Sequence, residues 1–545
     1  MSDNAEIIKK KYIKLLFLLA IIVTGIFFRV YNFHDLLRFN ADQSRDAGIV
    51  RDFLEGQISL PLSGPLAGGT SFALGPIFYY FQIISAKIFG IYPDKMAYPD
   101  LFFSILTIPL LYLLFKKYFN ESLSIALTGL MSVSMFCVQY SRFAWNPNSA
   151  PFFVSLFLYS LLMLSDDGAK KKFIWAALTG TAMGIGMQLH TLLLVAMPLS
   201  WLFFLGYVYR VSGRKMAKEF VVIFLFALFL NVPQIFGEIQ SGGQNIQAFL
   251  EGTAKKTDNE IGIAEKFTEN ILCQIQGNNY IISTIGPNGD CGIKYVAKNF
   301  KKHRPLERQV FVVAETLFGL IFTIGGIILW VKNARRENDD KKNKFLMLLG
   351  IYFLTVSVFL ILLANEISTR FYLVLEFLPF LLLGFWVDEI LKWTKDRKTK
   401  IVIVILTLFF IALAVVNIYK TCGMFRDFFL HKKIENNESL FITLSETEFI
   451  ANYIAYHTSD QKAVYLKGKK LYLFKYARSI DYFTKKEGIM IKEYSKKEKL
   501  PENATIFFLE NAENSGRLDK KTRAKYQAND PQIFGRLSIA KLHEK

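Results

Sequence analysis

The sequence predicts an all-α polytopic membrane protein of about eleven transmembrane helices, followed by a small soluble α/β domain at the C-terminal end. Three observations predict it. Apolar residues fall into blocks of roughly 18–22 with few charges, the length that crosses a ~30 Å hydrocarbon core. Short clusters of Lys and Arg separate these blocks. Beyond residue 420 the apolar blocks stop and short strand-like and helix-like runs replace them. Composition agrees: 52% of the residues are hydrophobic, Phe alone occurs 52 times, and the mean hydropathy is +0.28. A net charge of +19 in a soluble protein would suggest nucleic acid. Here the basic residues sit between apolar blocks, so topology accounts for them and no nucleic-acid partner is expected. The four cysteines form no CxxC pattern, which argues against a zinc ribbon or a dithiol redox motif.

The first apolar run, Tyr12 to Tyr31, is too long for a cleavable signal and lacks a small-residue cleavage site, so it is expected to stay as the first helix. The basic clusters then order the rest. They are Lys9–Lys14, Lys116–Lys117, Lys170–Lys172, Arg210–Lys218, Lys332–Lys344 and Lys392–Lys400. Short basic loops remain cytoplasmic, so an even number of crossings must separate any two of them. Blocks at 122–141 and 150–165, a pair meeting near His190, blocks at 219–236 and 310–331, and blocks at 345–364 and 371–391 all satisfy this. Between Lys14 and Lys116 there are three blocks, 12–31, 72–91 and 99–115, which is one too many. The middle block carries Gly75-Pro76, Gln82 and Lys87, so it is expected to lie at the interface rather than cross. The module at 1–420 thus has a first outer loop at 32–98, a long outer loop at 237–309 and a last crossing at 401–420. The N-terminus is expected in the cytoplasm of a cell whose plasma membrane the chain spans. The domain at 421–545 is expected outside, with strands near 463–466 and 505–509 and a helix near 446–456.

Ionisable groups near a membrane are costly and therefore functional or paired. They gather on the outer side in this topology. The first loop has Asn40, Asp42, Arg45, Asp46, Arg51 and Asp52. The later turns have Arg142, Trp145, Asn146 and Asn148, then Gln188 and His190, then Glu366, Arg370 and Tyr372. This set suits transfer from a lipid-linked phosphate. The phosphate is already a good leaving group, so one carboxylate must take the proton of an acceptor hydroxyl, and cations must stabilise the departing phosphate. Each residue also has a plainer account. Asp42, Arg45 and Asp46 have the spacing of a helix's first turn. Arg142 and Arg370 fit interfacial positions at helix ends. His190 fits a turn, and Asn146-Pro147-Asn148 a helix start.

At these residues the chain resembles the protein-O-mannosyltransferase-like membrane glycosyltransferases of the GT-C superfamily, relatives of the lipid A aminoarabinose transferases. The likeness is carried by Asn40-Ala-Asp42-Gln-Ser-Arg45-Asp46, Leu74-Gly75-Pro76-Ile-Phe-Tyr79-Tyr80, Ser141-Arg142-Phe-Ala-Trp145-Asn146-Pro147-Asn148, Gln188-Leu-His190 and Arg370-Phe-Tyr372. It covers the chain well to about residue 240, the later helices loosely and the C-terminal domain not at all. The resemblance implies an inverting transfer from a polyprenyl-phosphate sugar to a hydroxyl on protein, lipid or glycan. Asp42 matches the family's catalytic acid. Many members have an Asp-Glu pair where this chain has Asp42-Gln43, so Asp46 is a candidate for the second carboxylate, and Arg45 or Asp46 for orienting Asp42. Arg142 and Arg370 are candidates for the donor phosphate. Asn146, Asn148, His190, Tyr372 and Lys87 complete the candidate binding set. No metal or other cofactor is expected, since two carboxylates alone make a poor metal site. The expected partners are the lipid-linked donor, membrane lipids and an unidentified acceptor.

Three other readings remain at this level. A flippase for a lipid-linked saccharide would place polar residues along a path through the bilayer. An oligosaccharyltransferase or ligase would move a whole glycan and show metal dependence. An inactive scaffold would work through its C-terminal domain. In the long outer loop, Cys273 and Cys291 lie in a compartment that permits a disulfide. The basic run Lys294 to Arg308 fits a solvated face, headgroup contact or an anionic ligand.

Overall fold

The computed structural model describes the chain except at residues 1, 69, 167, 214–215, 255–261, 302–303, 364–366, 395–398, 431–441, 459–463 and 495–503. Each predicted apolar block is helical. Among the described residues, eight helices are long and apolar enough to cross a membrane. The number is nine if Thr369–Leu375 and Leu378–Trp393, which meet at 66°, form one bent span. Two more predicted blocks fall below that test for visible reasons. The block at 122–141 is split into Glu121–Val133 and Met135–Tyr140, with Ser134 between them. The block ending at Leu189, helix Lys172–Leu189, is diluted by Gly180, Gly184 and Gly186, which let the chain from Ala217 to Gln240 approach so closely that added methyl groups at Gly180 and Gly184 would collide with its backbone. Both segments nevertheless run from one end of the bundle to the other, because their two ends have partners at opposite ends.

One end of the bundle is lysine-rich. Lys14 and Lys116 both pair with Glu121 at 3.0 and 3.2 Å, Lys341 pairs with Asp166 at 3.0 Å, Lys344 donates to the Ser165 carbonyl, and Lys332 pairs with Glu389. Clusters that charge parity put on one side of the membrane therefore do meet. The long helices carry apolar side chains on their outer faces, such as Ile401, Leu408 and Val415 on helix Thr399–Phe429. Only lipid can cover such a surface without a large hydrophobic penalty, and the chain is a multi-pass membrane protein.

Helix α1 (Ser2–Val30) ends at the opposite end, where the first loop begins. Helix α2 (Ala41–Leu54) and helix α3 (Ile77–Phe89) lie in that loop. The 13 residues of α3 span about 20 Å, too little for a ~30 Å core. The long segment at 237–309 differs from expectation. It is not a free loop. Its helix Ile263–Ser283 is buried over its second half and packs among the transmembrane helices. Several of its polar groups are met there: Ser134 donates to the Ile281 carbonyl, Asn417 to the Ile282 carbonyl, and Asn278 to Thr323. A polar sequence hid a buried helix, because its neighbours supply the hydrogen bonds that water would otherwise supply. A disulfide between Cys273 and Cys291 ties this helix to Gly292–Asn299.

The last long helix runs to Phe429, past the expected boundary at 420. The domain beyond it has a five-stranded sheet in the order β2-β1-β3-β5-β4, with β1 (Val464–Gly468), β2 (Ile491–Glu493), β3 (Thr505–Asn511), β4 (Tyr526–Phe534) and β5 (Leu537–Glu544). Strands β1, β2 and β3 are parallel, whereas β5 is antiparallel to its neighbours β3 and β4. Helices Leu444–Tyr456 and Lys470–Thr484 pack on it.

Candidate active site

Helix α2 presents the expected carboxylates. Asn40 caps it, and the Gln43 side chain accepts from the Asn40 amide at 3.2 Å. Gln43 thus serves as the reciprocal partner in a capping box. Asp42, Arg45 and Asp46 share one face through i, i+3 and i+4 spacing. The Asp42 side chain is 58% exposed and takes a bond from Arg45 at 3.0 Å. Asp46 is buried. Both its oxygens are bonded, by Arg45 Nε at 2.8 Å and Nη2 at 3.1 Å, and by the Tyr79 hydroxyl of α3 at 3.0 Å. Burial pushes the Asp46 carboxyl up to about 6, against the pull of Arg45 and Tyr79. Asp42 is thus the carboxylate open to solvent, and Asp46 holds Arg45, which holds Asp42.

The start of α3 is set by another joint. The Gln188 side chain accepts from the Ile77 amide at 3.2 Å and donates to the Gly184 and Leu230 carbonyls. A methyl group on Gly75 would fall within 2.6 Å of three Gln188 side-chain atoms, so the close approach requires glycine. Two of the motifs read in the sequence are therefore two halves of one contact, and that contact delivers Tyr79 to Asp46.

A second group of side chains gathers on an aromatic cluster. Tyr140, Phe143 and Trp145 lie within 6.2 Å of one another, ring centre to ring centre. The Arg38 guanidinium lies 4.9 Å over Phe143, and that of Arg370 lies 5.7 Å over Trp145. Arg370 is exposed, and Arg38 is half-buried. Burial pulls the Arg38 guanidinium down to about 10, opposed by Tyr140 and Asp42 and reinforced by the repulsion of Arg370. Arg38 thus lies within electrostatic reach of both Asp42 and Arg370, and the two guanidiniums repel each other. An anion placed between them would relieve that repulsion. His190 lies beside them, its ring edge-on to Phe371 at 6.0 Å. Its Nδ1 accepts from the Leu192 amide and caps the helix Thr191–Ser212. Burial and the nearby Arg370 pull its imidazole down to about 4, so it is neutral at ordinary pH and its other nitrogen carries the proton.

The remaining predicted residues are placed differently. Arg142 is buried, and its terminal nitrogens donate to the carbonyls of Phe28, Arg29, Tyr31 and Asn32. It caps the end of α1, where carbonyls lack intrahelical partners. Asn146 donates to the Leu189 carbonyl at 2.7 Å and Asn148 to the Phe143 carbonyl at 2.8 Å, so both fasten backbone. Asp100 fixes the same turn, accepting from the Trp145 amide and the Ser149 hydroxyl. Tyr372 is buried, bonded to the Asn270 carbonyl at 3.0 Å and packed on Gly277, away from the cluster. Lys87 is exposed at the far end of α3, about 12 Å along the helix from Tyr79. Glu366 lies outside the described residues. Arg38 joins the group on the aromatic cluster although the sequence offers only a single Arg four positions before Asp42 as a signal. Among the described residues no three His, Cys, Asp or Glu side chains are grouped to hold a metal, and Arg45 occupies the place between the two carboxylates. A cavity of about 380 Å³ lies elsewhere, beside the end of helix Thr399–Phe429, and none of the predicted site residues line it.

Residues 73–235 match the family model described as dolichyl-phosphate-mannose-protein mannosyltransferase. No curated protein sequence matches the chain. Among solved structures the fold resembles ArnT from Cupriavidus metallidurans over nearly its whole length. The apo form gives a TM-score of 0.57 at 12% identity, over 98% of each chain. The form bound to undecaprenyl phosphate gives 0.56 at 12% identity, over 97% of each chain. The oligosaccharyltransferase from Archaeoglobus fulgidus in complex with Zn and sulfate gives 0.52 at 11% identity, over 87% of this chain and 62% of that one. The architecture is thus that of ArnT over nearly the whole chain, C-terminal domain included.

Proposed function

We propose that the chain is an inverting glycosyltransferase that moves a sugar from a polyprenyl-phosphate donor to a hydroxyl acceptor at the outer face of the plasma membrane. The observation that carries the reading is the exposed Asp42, held by Arg45, beside the converging guanidiniums of Arg38 and Arg370. The family match over 73–235 and the likeness to ArnT, which has been solved with undecaprenyl phosphate, support it. In this reading Asp42 takes the proton of the acceptor hydroxyl as its oxygen bonds to the anomeric carbon. The bond from that carbon to the phosphate oxygen breaks, and the electron pair leaves with the phosphate. Arg38 and Arg370 stabilise the developing charge, and neutral His190 offers one hydrogen bond beside them. The proton on Asp42 then passes to water, through the exposure the side chain already has. The lysine-rich end faces the cytoplasm, and the site and the C-terminal domain face outward.

The test is a comparison of lipid extracts from cells with and without the protein. Cells lacking it are expected to accumulate a lipid-linked sugar and to lose one modified product. Restoring the chain as Asp42→Asn, inserted at normal levels, is expected to leave transfer roughly 10²- to 10⁴-fold lower. Near-normal transfer by that variant removes the assignment. Transfer that EDTA abolishes would favour an oligosaccharyltransferase-like, metal-dependent reading instead.

A further inference from the structure

Arg38 lies in a short segment that has no helix of its own, and the C-terminal domain holds that segment in place. The Phe39 amide donates to the Ile442 carbonyl at 3.3 Å, and the Leu444 amide donates to the Leu37 carbonyl at 2.8 Å. Arg38 and Thr443 are thereby paired as an antiparallel bridge. The Phe39 ring is set edge-on against Tyr482 and Phe483. Further along α2, Arg51 donates to the Tyr482 carbonyl at 2.9 Å and lies 4.7 Å over its ring. Both ends of the stretch from Leu37 to Arg51, with Asp42 inside it, are therefore fastened to the C-terminal domain.

The receiving turn is itself rigid. Thr443 caps helix Leu444–Tyr456, and Glu446 accepts from the Thr443 amide and hydroxyl and from the Arg536 amide. Glu446 also pairs with the Arg536 side chain at 3.3 Å, with both groups buried. Gly535, at φ +63°, has no room for a side chain against Glu446. Tyr476, fully buried on helix Lys470–Thr484, lies within electrostatic reach of Arg536, Glu446 and Arg38.

We propose that the C-terminal domain is a working part of the donor site, in which the turn at 442–444 and Tyr476 are positioning elements that set Arg38 for the donor phosphate. The proposal rests on reading Arg38 as a phosphate ligand. A guanidinium held in advance binds with its conformation already chosen, whereas a released one must be ordered by the ligand.

The experiment measures the affinity of the full chain, purified in detergent, for undecaprenyl phosphate. The variants are Arg38→Ala, Tyr476→Phe and Leu444→Pro, and the last two combined with Arg38→Ala. Leu444 is the first residue of its helix, where proline is tolerated, and Thr443 before it is already extended, so Leu444→Pro removes the amide that bonds Leu37. Tyr476→Phe keeps the packing and decides the matter alone if Leu444→Pro does not fold. Arg38→Ala is expected to weaken binding at least tenfold, roughly the worth of a charge-assisted bond. Each positioning variant is expected to weaken it about three- to tenfold alone and by nothing further once Arg38 is gone, the signature of one residue acting through another. Losses that multiply in the double variants, or unchanged affinity in both single positioning variants, overturn the proposal. Unchanged binding by Arg38→Ala removes the phosphate reading of Arg38, a separate failure from that of the domain's role.

Discussion

Asp46 has both oxygens bonded and yet resists ionisation, because burial outweighs its two donors. It is ionised at neutral pH and takes a proton as pH falls through about 6. Its charge-assisted link to Arg45 then weakens, and Arg45 keeps only the exposed Asp42. Transfer is expected to decline below pH 6, and Asp46→Asn is expected to lower the rate at pH 7 and flatten that limb of the profile. The stability effect runs the other way. A carboxyl whose folded pKa lies above its ordinary 3.8 favours the folded state most at low pH, and that contribution is lost as pH rises through about 6. This group therefore does not promote acid unfolding, so thermal melts at pH 5 and 7 would separate loss of function from loss of fold. A profile for Asp46→Asn that keeps the acid limb would place the titration elsewhere.

Helix ends explain why several polar residues looked like ligands. Arg142 stands at the mouth of the bundle in sequence terms, but its guanidinium answers four carbonyls at the end of α1. Arg142→Ala is expected to destabilise the protein by about 3 kcal/mol, since it strands buried acceptors. Its affinity for undecaprenyl phosphate, measured on the folded fraction, should match the parent. A selective loss of lipid binding at unchanged melting temperature would restore Arg142 to the donor side. The contact between Gly75 and Gln188 belongs to the same scale, because it links the first loop to helix Lys172–Leu189 and so fixes where α3 offers Tyr79.

At the scale of the molecule, the bond between Leu37 and Leu444 requires an even number of membrane crossings between those residues. The same parity follows from the basic clusters, which meet at the other end of the bundle. Alkaline phosphatase fused at the C-terminal end is expected to be active, and a green fluorescent protein fused there to stay dark. The opposite pattern would invert the topology and put Asp42 on the cytoplasmic side. The lipid-facing helices, the loop after α1 and the faces of Asp42, Arg45 and Asp46 were legible in the chain, because hydropathy, charge and helical spacing are local properties. Which polar residues serve the site was not, because a side chain's partner is chosen by packing. The Asn270 carbonyl claims Tyr372, α1 claims Arg142, and a turn some four hundred positions away holds the segment around Arg38. Hydropathy and charge along the chain specify a membrane-spanning bundle with an acidic loop at one end. Tertiary structure alone leaves Asp42 exposed and Asp46 buried, brings Arg38 near Arg370, and fastens the segment around Arg38 to the C-terminal domain. Burial and long-range contact exist only once distant segments have come together.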